Sequence, residues 1–196
     1  MYICVIVKPT PKRHKQEAWQ TGSMANMTNN QRELTQNYTA IANEAHSLSQ
    51  LIAVNTAGLS RKELVNITRP ENDIAWRQLE NLIEDAENVN KFGKNGVAQI
   101  VQHAELVIDT LRRDEPIDAG TRVAINHLED HVSSCIEVAR SLHNSCVYSA
   151  QAIHDVDPNH PVFTRNLMAS FINSAFHRAI EERLTNIRAL VTQADA

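Results

Sequence analysis

Residues 124 to 146 read AINHLEDHVSSCIEVARSLHNSC. Apolar or small side chains return every three or four positions, at Ile125, Leu128, Val132, Cys135, Ala139, Leu142 and Cys146. That is the period of one buried helix face. The alternation continues to Ser149 and Ile153, so the spacing predicts a helix from about 118 to 154, roughly 50 Å long.

The pattern repeats on both sides of this helix. Leu34, Tyr38, Ile41, Ala45, Leu48 and Ile52 form a seam at heptad spacing within a helix expected over 28–57, with Gly58 as its stop. Ser60 to Glu63 has capping-box spacing and predicts a short helix ending near Ile67. Thr68-Arg69-Pro70-Glu71 opens the next helix, whose apolar face runs from Ile74 to Val89 and which ends at Phe92. Gly93 and Gly96 predict a break with Asn95 as the following N-cap, and Val97 to Leu111 carry another amphipathic helix. Asp114-Glu115-Pro116 and the 155–161 stretch DVDPNHP read as loops, and Pro161 is expected to open a single last helix reaching about 193. The expected fold is all-α, an elongated antiparallel bundle of about five main helices plus one short one, in a single domain over 28–196.

The composition agrees. Five glycines and six prolines are too few for a turn-rich β protein. Lys8, Lys12, Arg13 and Lys15 against Glu17 give residues 1 to 27 a net charge of +3. The whole chain carries −4, so the remainder holds −7. No basic face for nucleic acid appears in that acidic body. The leader begins MYICVIV and contains Gly22-Ser23-Met24, which resembles a cloning junction; residues 1–27 are expected to be disordered, extraneous or a short docking strand. No apolar run is long enough to span a bilayer. Cys135 and Cys146 lie about 16 Å apart on one helix, too far to bridge, which fits buried thiols in a reducing, cytoplasmic setting.

The functional reading turns on nine histidines. His127 and His131 are four apart and could meet one ion. About the centre of the apolar face, however, they sit roughly 120° and 80° off, on the flank and solvent side. With His103 and the His177/Glu181 pair they resemble the HxxxH and HxxxE pairs of hemerythrin-like bundles, although the order of the pairs differs. A bundle holding a metal or a small anionic molecule through His103, His127, His131, His177 and Glu181 is therefore one alternative. Arg122 and His127 have the R-x4-H spacing of HEPN-type ribonucleases, which implies a nuclease with that pair at the scissile phosphate; Val123 stands where those motifs carry a polar residue. His143, close to the seam centre, is expected to be a core histidine bonded to a facing polar group. The residues of 154–160 are expected to serve turn chemistry.

No nucleotide-binding, hydrolase-elbow or cysteine-pair motif is present in the sequence. The primary expectation is a non-enzymatic bundle without cofactor or metal, acting through protein–protein contact as an adaptor, inhibitor or assembly component. The small residues of the long helix let a facing helix approach closely, so self-association as a dimer is expected.

Overall fold

The computed structural model describes residues 28–57, 59, 72–113, 119–164 and 166–194. The predicted leader, the short helix after Ser60 and the Thr68–Glu71 cap lie outside these. The described residues form six α-helices: α1 (Asn29–Thr56), α2 (Asp73–Phe92), α3 (Ala98–Arg112), α4 (Ala119–Val156), α5 (Asn166–Ile172) and α6 (Ser174–Ala194). No strand occurs among the described residues. None of their helices is long and apolar enough to cross a membrane.

The ends of the helices follow from local chemistry. Thr28 caps α1 in a full capping box, accepting from the Gln31 N–H at 3.2 Å while the Gln31 side chain accepts from the Thr28 N–H at 2.9 Å. Asn72 caps α2, its Oδ1 accepting from the Ile74 and Ala75 N–H groups.

Two expectations are corrected. Gly93 and Gly96 do not break the chain. Gly93–Val97 form a π-helical turn, and Gly93 and Ala98 keep right-handed helical angles, so Asp73 to Arg112 is one rod and Asn95 caps nothing. The glycine serves proximity. A Cβ at Gly93 would lie 2.7 Å from Cγ2 of Ile52 on α1, and Ser49 donates to the Gly93 carbonyl at 3.2 Å.

The last helix is also not single. Pro161–Phe163 form a 3-10 turn, then α5 and α6 meet at Asn173, where no glycine or proline stands. Asn173 acts as an internal cap: its Oδ1 accepts from the Ala175 N–H at 2.9 Å, taking the donor that a continuous helix would give to Phe171.

Antiparallel order follows from cross-contacts. Asp85 meets Ser145, Gly96 meets His131, and Thr110 meets Thr121, so the α2–α3 rod and α4 form a long hairpin. Glu181 meets Arg140 and His143, which turns α6 back along α4. Arg183 meets Ser47 and Glu44, which closes α6 onto α1. α1 packs on α3 and α6, and α4 packs on α2, α3 and α6, so α1 and α4 face each other across the core. One apolar cluster joins them, with Tyr38, Leu48, Leu82, Ile100, Leu128, Ile153 and Leu184 almost fully buried. The predicted seam from Leu128 through Val132, Cys135, Ala139 and Cys146 to Ile153 is the inward face of α4.

Candidate functional site

The five candidate ligands fall into two groups, set against different parts of α4. His131 and His143 are twelve positions apart on that helix, roughly 18 Å.

The first group lines an open groove of about 530 Å³ between α3 and α4, with His103, Leu106, Val123, His127, Asp130 and His131 in its wall. Nε2–H of His131 donates to the Gly96 carbonyl at 2.9 Å, so this imidazole ties α4 to the π turn. Its Nε2 also lies 3.8 Å from the Cys135 sulfur. The His103 ring stands edge-on to His131 with centroids 6.0 Å apart. Burial pushes the His103 pKa down, and the neighbouring His131 and His127 push it further the same way. His103 Nδ1 is buried without a hydrogen-bond partner. The groove thus brings imidazoles and apolar side chains into one wall. Among the described residues, no three His, Cys, Asp or Glu side chains form a metal-holding group.

The second group sits where α5 meets α6. His177 is 2% exposed, and its Nε2–H donates at 2.9 Å to the Phe171 carbonyl, the acceptor left open by the Asn173 cap. Its ring stacks on His143 at 5.0 Å, nearly parallel, with Phe171 and Phe176 at its edges. His143 is bonded through Nδ1 to Glu181 at 3.3 Å, and Arg140 Nε donates to the same carboxylate at 3.2 Å. The expected polar partner of His143 is thus Glu181. Desolvation, then the His143 charge, lowers the His177 pKa to about 4 despite the opposing pull of the Phe171 carbonyl and Glu181. This arrangement locks a helix joint and presents no open face to a ligand.

Arg122 and His127 do not converge. Both are exposed, but five residues on a helix turn through about 140°, and only His127 lines the groove. The 157–160 loop carries turn chemistry, with the Asp157 side chain accepting from the Asn159 N–H and His160 Nδ1 from the Val162 N–H. Burial raises the thiol pKa of Cys135 to about 11 and of Cys146, where Asp85 adds to the effect, to about 12. Neither is a ready nucleophile.

One buried acid was not singled out by pattern. Asp85 on α2 is 6% exposed, its Oδ1 accepts from the Ser145 hydroxyl at 2.9 Å, and its Oδ2 has no partner. Burial raises its pKa, Ser145 opposes that, and Glu84 adds to it. A carboxyl with a raised folded pKa loses stability as pH rises from its unfolded value through its folded one. Asp85→Asn keeps the acceptor for Ser145 and removes the charge. At pH 8 it should raise the thermal midpoint by about 2–4 °C, equivalent to about 1 kcal/mol. A midpoint equal to or below that of the parent chain at pH 8 would show the charge to be satisfied.

The sequence reading also passed over the outer face of α4. Val123, His127, Asp130, Ser134, Val138, Ser141, Ser145 and Tyr148 are all exposed, and Ala152 and Val156 continue the line. They repeat at threes and fours like the inner seam, with Asp130 as the one carboxylate or ammonium-type charge among them. That low charge was the available signal. Compared with protein-family profiles, with characterised proteins and with solved structures, the chain matches none of them.

Proposed function

We propose that this bundle acts by binding protein, as an adaptor, inhibitor or assembly component, and that the outer face of α4 is its contact surface. One observation carries the reading. Of the eight large apolar side chains exposed among the described residues, five lie on α4: Val123, Val138, Val147, Tyr148 and Val156. At about 100° per residue, all but Val147 fall within an arc of about 80°, whose centre lies about 120° round the helix from Leu128 and Cys146. Tyr148 is 69% exposed and Val123 53%. A helix face of low charge with exposed apolar side chains along its length is suited to contact with another protein. Buried, unpaired Cys135 and Cys146 support placing the protein in a reducing compartment, the cytoplasm.

The test compares the parent chain with Val138→Glu and Tyr148→Glu after cross-linking in its native cell extract. Both side chains are exposed, so the fold should keep its thermal midpoint within about 2 °C, well under 1 kcal/mol. Partners held by the parent chain should be recovered about tenfold less with either variant. Undiminished recovery with both would dispose of this face as the contact surface.

A further inference from the structure

We infer that the imidazoles of the α3–α4 groove form an acid-sensitive latch, in which protonation of His103 below about pH 6.5 frees the first turns of α4, from Ala119 to His131, from α3.

α3 and the start of α4 are joined by polar ties at two levels. His131 donates to the Gly96 carbonyl at 2.9 Å, and the Thr110 and Thr121 hydroxyls meet at 3.2 Å. His103 stands between these levels, seven positions along the chain from Gly96 and from Thr110, roughly 10 Å each way. Its ring centroid is 6.0 Å from that of His131, and His127 shares the same groove wall. Farther along, α4 has other partners: Asp85 accepts from Ser145, and Glu181 is bonded to Arg140 and His143. A local opening at the groove therefore leaves the rest of the bundle in place.

The closed groove is built against a charge on His103. Its Nδ1 is buried without a hydrogen-bond partner. In the charged ring both nitrogens are donors, so a proton there would leave a buried N–H with no acceptor. The charges that reach this ring are those of His131 and His127, both on α4, and both repel a further positive charge. Asp130, the carboxylate in the groove wall, is not among them. Nor, among the described residues, is any charged group of α1 or of the π turn, the other elements packed on α3.

Parting α4 from α3 removes these costs together. Water reaches Nδ1, the rings separate, and His103 becomes an ordinary imidazole with a pKa of about 6.5. Burial, then His131, then His127, lower that value in the closed state. The closed groove is therefore favoured above about pH 6.5 and loses ground as pH falls toward the lower folded value. The His131 tie is not the moving part, since a charged imidazole still donates to Gly96. Opening bares the otherwise buried Ala124 and Leu128.

Hydrogen exchange of the full chain at about pH 7.5 and 5.5, read as protection factors, compares the parent with His103→Gln, which stays polar and cannot take up the proton. Over residues 119–131 the parent should lose about three- to tenfold more protection on acidification than the variant, one proton allowing at most about tenfold per pH unit. Over 166–180, at the α5–α6 joint, the two should lose equally. Equal losses over 119–131 would overturn the latch. So would an excess loss spread evenly along the chain, because His103 would then act only through global unfolding. If His103→Gln does not fold at the lower pH, His127→Gln takes its place; His127 is exposed, so the fold tolerates that change. With one repelling neighbour gone, its loss over 119–131 should be about twofold smaller than the parent's, and a loss equal to the parent's would overturn the latch.

Discussion

Acidification from pH 7 to about 4 is expected to remove about 3 kcal/mol of folding stability through His177 alone. The folded pKa is lowered to about 4 from an ordinary value of 6.5. Between those values the unfolded chain takes up a proton that the folded chain refuses, so stability falls as pH drops below 6.5 and levels off near 4. The cause is structural. His177 is enclosed by Phe171, Phe176 and the face of His143, and one nitrogen is committed to the Phe171 carbonyl. A charge there has neither water nor a carboxylate in direct contact, because Glu181 is occupied by His143 and Arg140. Urea unfolding at intervals of half a pH unit measures the slope. His177→Gln retains an amide donor for the Phe171 carbonyl and does not titrate, so it should flatten the slope by about one proton between pH 6.5 and 4. An equal slope in the variant would assign the acid sensitivity to other groups. Amide exchange should locate the loss first at the α5–α6 joint, where the imidazole holds the two helices together.

Gly93→Ala is expected to destabilise the fold by about 2 kcal/mol, although alanine is the better helix former by about 1 kcal/mol. The backbone at Gly93 is ordinary right-handed helix, so conformational freedom is not its role. The added methyl would lie 2.7 Å from Cγ2 and 3.1 Å from Cβ of Ile52. Ile52 is buried and β-branched, with little rotamer freedom to move aside. Relief would push α1 away from the π turn and stretch the Ser49 bond to the Gly93 carbonyl. Pairing the change with Ile52→Val removes the δ-methyl but leaves Cγ2, so it should recover little. Ile52→Ala removes Cγ2 and should recover a larger share of the loss than expected from independent sites. Equal stability of Gly93→Ala and the parent in urea would show that α1 can shift freely, contrary to the close packing seen here.

The sequence by itself determined that the fold is helical and which side of the long helices turns inward. Leu128, Val132, Cys135, Ala139 and Cys146 are buried because a period near 3.6 leaves a helix only one face on which to hide them. The α1 seam from Tyr38 to Ile52 is buried for the same reason. These are local properties, written within a dozen residues. Tertiary structure decided what depends on neighbours from elsewhere in the chain. Gly93 looked like a helix stop because glycine often ends helices, yet its role is set by Ile52, which the local sequence cannot place beside it. Asn173 looked like part of one helix, and its side chain became a cap once His177 could satisfy the carbonyl that the cap releases. The histidines shared spacing but not depth along the bundle: His103, His127 and His131 line one groove, whereas His177 and Glu181 meet His143 farther along α4. Periodicity fixes rotation about a helix axis. It does not fix the register between helices, which comes from how bulky and small side chains interlock across the core. That same packing settled which face of α4 stayed outside, and so exposed Val123, Val138 and Tyr148.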